Sequence, residues 1–493
     1  MDRQGRKVLR ERFQAGPIVF VLLFTLTVSA QESKIEQVEN SLLYPVTVKG
    51  QDVLLSLPDR MKSYNVPGVS VAVVNKGKVE WAKGYGVLET GSKDQVNAET
   101  LFQAASISKT VSAFGALVLV GKDLLNLDKD INTYLKSWKL PENEFTQKEK
   151  VTLRHLLSHT GGLSRSFVGS YGREQKPFGL LDALEGKDDS QNPRPVRVRA
   201  VPGTEYNYSG GGFSVIQQMI ADVTGKPFED VMRELVLNPL GMKHSGYLMP
   251  LTKNLWKIAA TGHRRNGDAI PDKGFVLPET AAGGLWTTPT DIALFMIEIQ
   301  RAMAGKSRLL SKALANEMLS PQKNSGSWGL GLDLKGLNQT PYFQHGGVNI
   351  GFESWMAGSF DTAQGAVVMT NTNSGGQRLA LEIIRGIARV YGWSFATQIA
   401  KNAIALDPKQ QAAYIGRYRF NDDIFIVKIE NAKLMIQRPN SSFRELVAEG
   451  KHKFFVRESE VEYIFEMNDR GEAVKLTETF PYTADEVAMK IKE

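Results

Sequence analysis

The sequence predicts an α/β (α+β) domain whose sheet is assembled from segments far apart in the chain, followed by a small, separate all-β domain. Three observations carry this reading. Strand-like runs occur near both ends of the first 400 residues, helical periodicities fill the stretch between them, and the texture changes near Leu406. At 493 residues, 42% hydrophobic and 23% charged, the chain is long enough for two or three domains with cores of their own.

The first element is "PGVSVAVVNKGKVEWAKGYGV". Val69, Val71 and Val73 alternate, Asn75 to Gly77 supplies a turn, and Val79 and Trp81 resume the pattern, which predicts a β-hairpin. Ser106 then opens a segment with Val111, Phe114, Leu117 and Val118 at helical spacing, and Gly121 marks its stop. A second helix is expected over Phe213–Thr224, carried by Ile216, Met219, Ile220 and Val223. A third, Pro289–Ala304, has Thr288 as N-cap, Pro289 at the first position and Asp291 three residues after the cap. Short strands are expected at Tyr342–Phe343, Ser354–Met356 and Ala366–Met369. From about Leu406, "IFIVKIENAKLMIQR", "HKFFVRE" and "VEYIFEMNDRGEAVKL" read as strand pairs separated by turn residues, which predicts an antiparallel barrel or sandwich over 406–493. No repeat of 20–50 residues and no low-complexity segment interrupts this order.

The formal charge is +7. Arg3, Arg6, Lys7, Arg10 and Arg12 stand against Asp2 and Glu11, a surplus of +3 that leaves +4 on the remainder. No basic run with interleaved aromatics follows, so nucleic acid is not an expected partner. The basic start precedes an apolar run from Ile18 to Val28 and the small residues Ser29 and Ala30. That is the layout of a secretory signal peptide over residues 1–30, cut after Ala30. The run is short of the roughly 20 residues of a membrane span, so no stable span is expected after cleavage; an uncleaved anchor is the alternative. The chain has no cysteine, which excludes a disulfide, a thiol nucleophile and a cysteine-ligated metal. Export without cysteine suits a bacterial periplasm or exterior.

Chemistry enters with "FQAASISKT" at Phe102–Thr110. Residues three apart share a helix face, so Ser106 and Lys109 can approach. A serine hydroxyl is a weak nucleophile until a base removes its proton, and a desolvated lysine can serve as that base. A serine at a helix start also has a free backbone N–H for a developing oxyanion. By itself Ser-x-x-Lys occurs by chance roughly once or twice in a chain this long. "PGTEYNYSGGGF" sets Tyr208 in a Gly-rich loop before a helix, where a phenol beside an ammonium can relay a proton, although taken alone a tyrosine packed at a helix entrance is the commoner case. "YFQHGGVNIGFES" places His345 at the end of a short strand, before two glycines that would let a substrate approach backbone N–H groups; a plain turn is the alternative. His155 and His159, four residues apart, have the spacing of metal ligands but no third-ligand pattern accompanies them, and they read as structural.

Taken in order, these motifs resemble the serine β-lactamase and penicillin-binding-protein superfamily, its class C and DD-peptidase branch above all. Ser106-Ile107-Ser108-Lys109 matches Ser-x-x-Lys, Tyr208-Ser209-Gly210 stands where that branch has Tyr-x-Asn, and His345-Gly346-Gly347 stands where it has Lys-Thr-Gly or His-x-Gly. "VTLRHLLSHTGGL", "NPLGMKHSGY" and "AAGGLWTTPTDIALFM" add to the likeness, which spans roughly residues 50–395. The resemblance implies a β-lactamase-like fold, an antiparallel sheet flanked by helices with a helical subdomain, over residues 31–405. It implies no cofactor and no metal. Ser106 would be the acylated nucleophile, Lys109 and Tyr208 the proton-transfer pair, and His345 the opposite wall. The Ser106 and Val348 N–H groups would form the oxyanion hole, with Gly347 and Gly210 beside the substrate.

Two departures bear on specificity. Gly210 replaces the asparagine that would bind a substrate's acyl side chain. His345 and Gly346 replace the lysine and hydroxyl residue that help bind a β-lactam carboxylate, and a histidine is largely neutral near pH 7. Both favour an esterase or peptidase acting on a small-molecule ester, amide or peptide, with a true β-lactamase or DD-peptidase as the alternative. A catalytically lapsed binding or sensor protein is the reading from another class. The C-terminal region resembles the lipocalin-like β domains that some family members carry. The sequence leaves the oligomeric state open.

Overall fold

The computed structural model describes residues 31–164, 171–175, 179–187, 194–439, 441–479 and 486–491. The predicted signal segment, residues 1–30, lies outside them. The larger unit is built on a six-stranded antiparallel sheet. Its strands are β1 (Gly68–Asn75), β2 (Lys78–Gly86), β3 (Asp333–Lys335), β4 (Tyr342–Asn349), β5 (Phe352–Ser359) and β6 (Gly365–Thr370), in the spatial order β2-β1-β6-β5-β4-β3. The N-terminal hairpin therefore pairs with strands nearly 300 residues away, as the sequence led us to expect. Its loop is the two residues Lys76 and Gly77, both at positive φ (53° and 70°), the geometry that matches the right-handed twist of the strands.

Both faces of the sheet are covered, which explains why β1 is buried nearly throughout, Ser70 and Ala72 included. On one face Val69, Val71 and Val73 pack with Leu379, Ile383 and Ile387 of a C-terminal helix, Gly376–Tyr391. On the other face lie α1 (Ile107–Gly121), α2 (Gly210–Thr224) and α3 (Pro289–Met303); we name the Gly376–Tyr391 helix α4. Helix α1 is buried almost all round and runs through the middle of the larger core. Helix α2 begins at Gly210, three residues before the expected start. Ser209 caps it by accepting from the Gly212 N–H at 3.1 Å, a side-chain signal that precedes the apolar periodicity. Helix α3 starts as predicted, with the Thr288 hydroxyl accepting from the Asp291 N–H.

Strands β4 and β5 are eight residues each, much longer than the sequence suggests. His345 consequently sits in mid-strand, not at a strand end. Glycine weakens a strand by propensity, but here the neighbours require it. A β-carbon on Gly346 would lie 2.5 Å from the Trp355 ring, and one on Gly347 would lie 2.2 Å from the Ala104 carbonyl oxygen. The two glycines therefore admit protein atoms, not substrate, against the strand.

The C-terminal sheet has nine antiparallel strands between Gly416 and Ile491. Its two edges are Arg444–Glu445 and Val447–Gly450, separated in the chain by Leu446 alone, so the backbone steps directly across the remaining gap and the sheet is a nearly closed barrel. Tyr418, Phe425, Phe454, Tyr463 and Phe465 fill its interior. The barrel is a separate all-β domain. It leans on the larger unit through Val46 and Val48, which pack with Val447 and Phe455, and through an Arg385–Glu460 ion pair of 3.1 Å.

Candidate active site

Ser106 immediately precedes α1, with φ −66° and ψ −11°, and its hydroxyl caps nothing. The residue before it, Ala105, is held at φ 49°, a conformation that a non-glycine residue adopts at a cost of order 1 kcal/mol. The Ser106 hydroxyl faces Lys109 rather than the helix end. The Lys109 Nζ lies 3.1 Å from Ser106 Oγ and donates to the Ala282 carbonyl at 2.7 Å. Lys109 is only 3% exposed. Among the described residues no carboxylate forms an ion pair with it, and the face of the Tyr208 ring stands 5.1 Å away. The expected approach of Ser106 and Lys109 on one helix face is realised.

Tyr208 reaches the same place from the loop that caps α2. Its ring lies 4.2 Å from that of His159, whose Nδ1 accepts from the Ser209 N–H at 3.2 Å. His159 thus holds the Tyr208 loop, whereas His155 closes a capping box with Thr152 in a different role. The two histidines do not act together. Among the described residues no group of three or more His, Asp or Glu side chains is arranged for a metal ion. Gly210 is the buried first residue of α2, and its carbonyl accepts from Ser214.

His345 enters from β4. It is 4% exposed, with its ring 6.5 Å from that of Tyr208 and 5.3 Å from that of Trp328. Its Nδ1 lies 2.7 Å from the Gly346 carbonyl, an atom that can only accept, so Nδ1 carries the proton and Nε2 presents a lone pair. That Nε2 is buried without a hydrogen-bond partner among the described residues. Burial first, and the nearby Lys109 charge second, pull the imidazole down to about 4 from its usual 6.5, so the ring is neutral around pH 7.

Strand β3 pairs with β4 only through residues 342–344. From His345 to Asn349 the outer side of β4 is a sheet edge, with alternate backbone N–H groups free of a strand partner. Gly347 presses this edge against Ala104 and Ala105, next to Ser106, and Ser354 fastens it by donating to the Ala104 carbonyl at 2.9 Å. Asn349 closes the lower end by donating to Gln103 Oε1 at 2.7 Å and to the Gly283 carbonyl at 3.0 Å. Val348 points its side chain into solvent, 52% exposed. The Ser106 N–H, at the start of α1, has no intrahelical acceptor.

The structure thus brings Ser106, Lys109, Tyr208 and His345 to one place, with the Gly347–Val348 edge beside them. Sequence reasoning missed Ala282, whose carbonyl fixes the lysine, and the aromatic wall of Trp328 and Tyr206, stacked at 5.8 Å. Only the "AAGGLW" likeness pointed toward the first; nothing in the spacing marks the second.

A buried lysine one turn from a serine that caps nothing, on an antiparallel sheet flanked by helices, is an arrangement in which a lysine can activate a serine hydroxyl. The chain belongs to the beta-lactamase family, whose family model matches residues 57–388. Protein flp of Staphylococcus aureus is 25% identical over 321 residues, covering 63% of this chain and 60% of that protein, so the match leaves a substantial part of flp unaligned. The unguisins hydrolase ungD' of Aspergillus campestris is 32% identical over 252 residues, 48% of this chain and 44% of that enzyme. Among solved structures, the octameric penicillin-binding protein homologue from Pyrococcus abyssi superposes with a TM-score of 0.57 at 19% identity, covering 88% of this chain and 98% of that one. Two structures of the D-amino acid amidase from Ochrobactrum anthropi give 0.55 at 22–23% identity, over 68% of this chain and 96–97% of theirs. Both structures share the fold.

Proposed function

We propose that the protein cleaves an ester or amide bond of a small molecule or short peptide through an acyl-enzyme on Ser106. The observation that carries this reading is the Lys109 Nζ, 3.1 Å from the Ser106 hydroxyl in a buried setting. Lys109, deprotonated for the step, accepts the hydroxyl proton as Ser106 Oγ bonds to the substrate carbonyl carbon. The oxygen that gains charge is held by the N–H groups of Ser106 and Val348. Collapse breaks the bond to the leaving group, which takes the proton back through Tyr208. Water then attacks the acyl carbon, the acid departs, and the proton returns to Ser106. His345, neutral and with a free Nε2 lone pair, accepts a hydrogen bond from substrate and offers no charge to an anionic one. That supports an esterase or peptidase over a β-lactamase, and the likeness to an unguisins hydrolase supports hydrolysis as the reaction.

We further propose that residues 1–30 direct export to a bacterial periplasm or exterior, and that 31–405 and 406–493 are the hydrolase and barrel units. The test is hydrolysis of a short-chain aryl ester by residues 31–493, beside Ser106→Ala. Activity lost in the variant, together with fluorophosphonate labelling confined to the parent, supports the mechanism. Turnover that persists in Ser106→Ala would end it.

A further inference from the structure

On the reverse side of β4 from the catalytic serine lies a cavity of about 610 Å³, between α4, the strands β4 and β5, and the C-terminal barrel. Its size is that of a small-molecule site. Tyr342, Trp355 and Phe395 form aromatic walls, with the Tyr342 and Phe395 rings 5.5 Å apart, and Leu381 and Ile384 of α4 add apolar surface.

The charges around it sort cleanly. Lys335 is paired with Asp333 at 3.1 Å, Arg385 with Glu460 at 3.1 Å, and Glu382 accepts two bonds of 2.8 Å from Arg60. Two lining groups form no ion pair among the described residues: Glu458, contributed by the barrel, and Arg378, exposed at the start of α4. Burial, with the Glu382 charge adding to it, holds the Glu458 carboxyl above its ordinary range against the partial offset of its own backbone N–H, Arg444 and Arg60. A carboxylate desolvated in this way gains from a cation placed beside it.

We propose that this cavity binds a small zwitterion with an aromatic side chain, a free amino acid or short peptide, with its ammonium on Glu458, its carboxylate on Arg378 and its apolar body among Tyr342, Trp355 and Phe395. The site requires both domains, because Glu458 comes from one and Arg378 from the other. It is also one strand away from the chemistry. Tyr342 and Gln344 of β4 line the cavity while the alternate His345 and Gly347 face Ser106, and the Trp355 ring abuts Gly346 between them. A ligand seated there bears on the strand that carries His345.

The test uses the full chain with Ser106→Ala, so that no turnover intervenes, titrated calorimetrically with phenylalanine of either hand, phenethylamine and 3-phenylpropionate. One saturable site for phenylalanine is expected. Glu458→Gln should weaken phenylalanine and phenethylamine at least about tenfold and leave 3-phenylpropionate unchanged; Arg378→Ala should weaken phenylalanine and 3-phenylpropionate and leave phenethylamine unchanged. In the Ser106-containing protein both variants keep their aryl esterase activity, which separates this site from the reaction pocket. No saturable binding at millimolar phenylalanine overturns the proposal. So does binding that neither variant alters, which places the ligand elsewhere, or phenethylamine binding as tightly as phenylalanine, which removes the role of Arg378.

Discussion

Gly347→Ala isolates the role of the close approach between β4 and the serine turn. The added β-carbon would lie 2.2 Å from the Ala104 carbonyl oxygen, 2.4 Å from Ser354 Oγ and 3.1 Å from the Ala105 β-carbon, where ordinary contact begins at 3.4 Å. None of the first two atoms is the end of a flexible chain, and Ser354 is itself bonded to Ala104. Strand and turn must therefore part by about 1 Å, and the turn that moves contains Ala105, left-handed and directly before Ser106. A misplacement of about 1 Å costs roughly 10²-fold in rate. Overpacking adds about 1–3 kcal/mol of destabilisation. The assay is kcat/KM on a short-chain aryl ester beside urea unfolding, with Gly450→Ala as control, since its added β-carbon meets nothing within 4 Å. The reasoning fails if Gly347→Ala keeps kcat/KM within about twofold of the parent.

Other perturbations reach different parts of the argument. Lys109→Ala and Tyr208→Phe should each lower acylation by roughly the 10²–10⁴ of a positioned proton-transfer group; near-normal single-turnover rates in Lys109→Ala would remove its role as base. His345 titrates at about 4 in the folded protein and near 6.5 unfolded, so the unfolded chain takes up the proton first as pH falls. Stability from the neutral buried ring is complete above about pH 6.5 and declines by about 3 kcal/mol toward pH 4. Subtracting the unfolding free energies of His345→Gln from those of the parent between pH 7 and 4 should reveal that slope, and a flat difference would contradict it. Arg60 and Glu382, 12% and 2% exposed, form a buried pair, and Arg60→Ala should cost about 3–5 kcal/mol. Lys226→Ala, which breaks a pair about half exposed on both sides, should cost under about 1 kcal/mol by the same measurement. Equal losses would mean that burial does not govern these pairs.

Much of the fold was legible because local signals agreed with their surroundings. The 68–86 hairpin carries β-branched residues and a turn with glycine, α3 carries a cap and a proline, and the serine and lysine are three apart for a reason internal to the helix. What failed to show was set by contacts between distant segments. Strand β4 looked short because His345, Gly346 and Gly347 are poor strand formers, yet Trp355, Ala104 and Ser354 leave room for nothing larger than glycine there. The barrel strands could be read from their alternation, whereas its near closure depends on Leu446 stepping between two edges, which no periodicity encodes.

The same distinction explains the site. Ser106, Lys109, Tyr208 and His345 announce themselves because each sits in a compact motif whose spacing is dictated by a helix start or a strand edge. The Ala282 carbonyl, the Ala105 turn and the Trp328–Tyr206 wall do not, since a backbone oxygen, a φ angle and a stacked pair have no residue signature of their own. Yet these are the parts that decide what the motif does. The carbonyl holds the lysine within reach of the hydroxyl, the turn stands directly before the serine, and the stacked pair walls one side of the site. Ser106 is itself in helical conformation, and the N–H groups of Ser108 and Lys109, which an N-cap hydroxyl would serve, already donate to the Ala105 and Ser106 carbonyls at 2.9 and 3.0 Å, so the Ser106 hydroxyl is left to face Lys109.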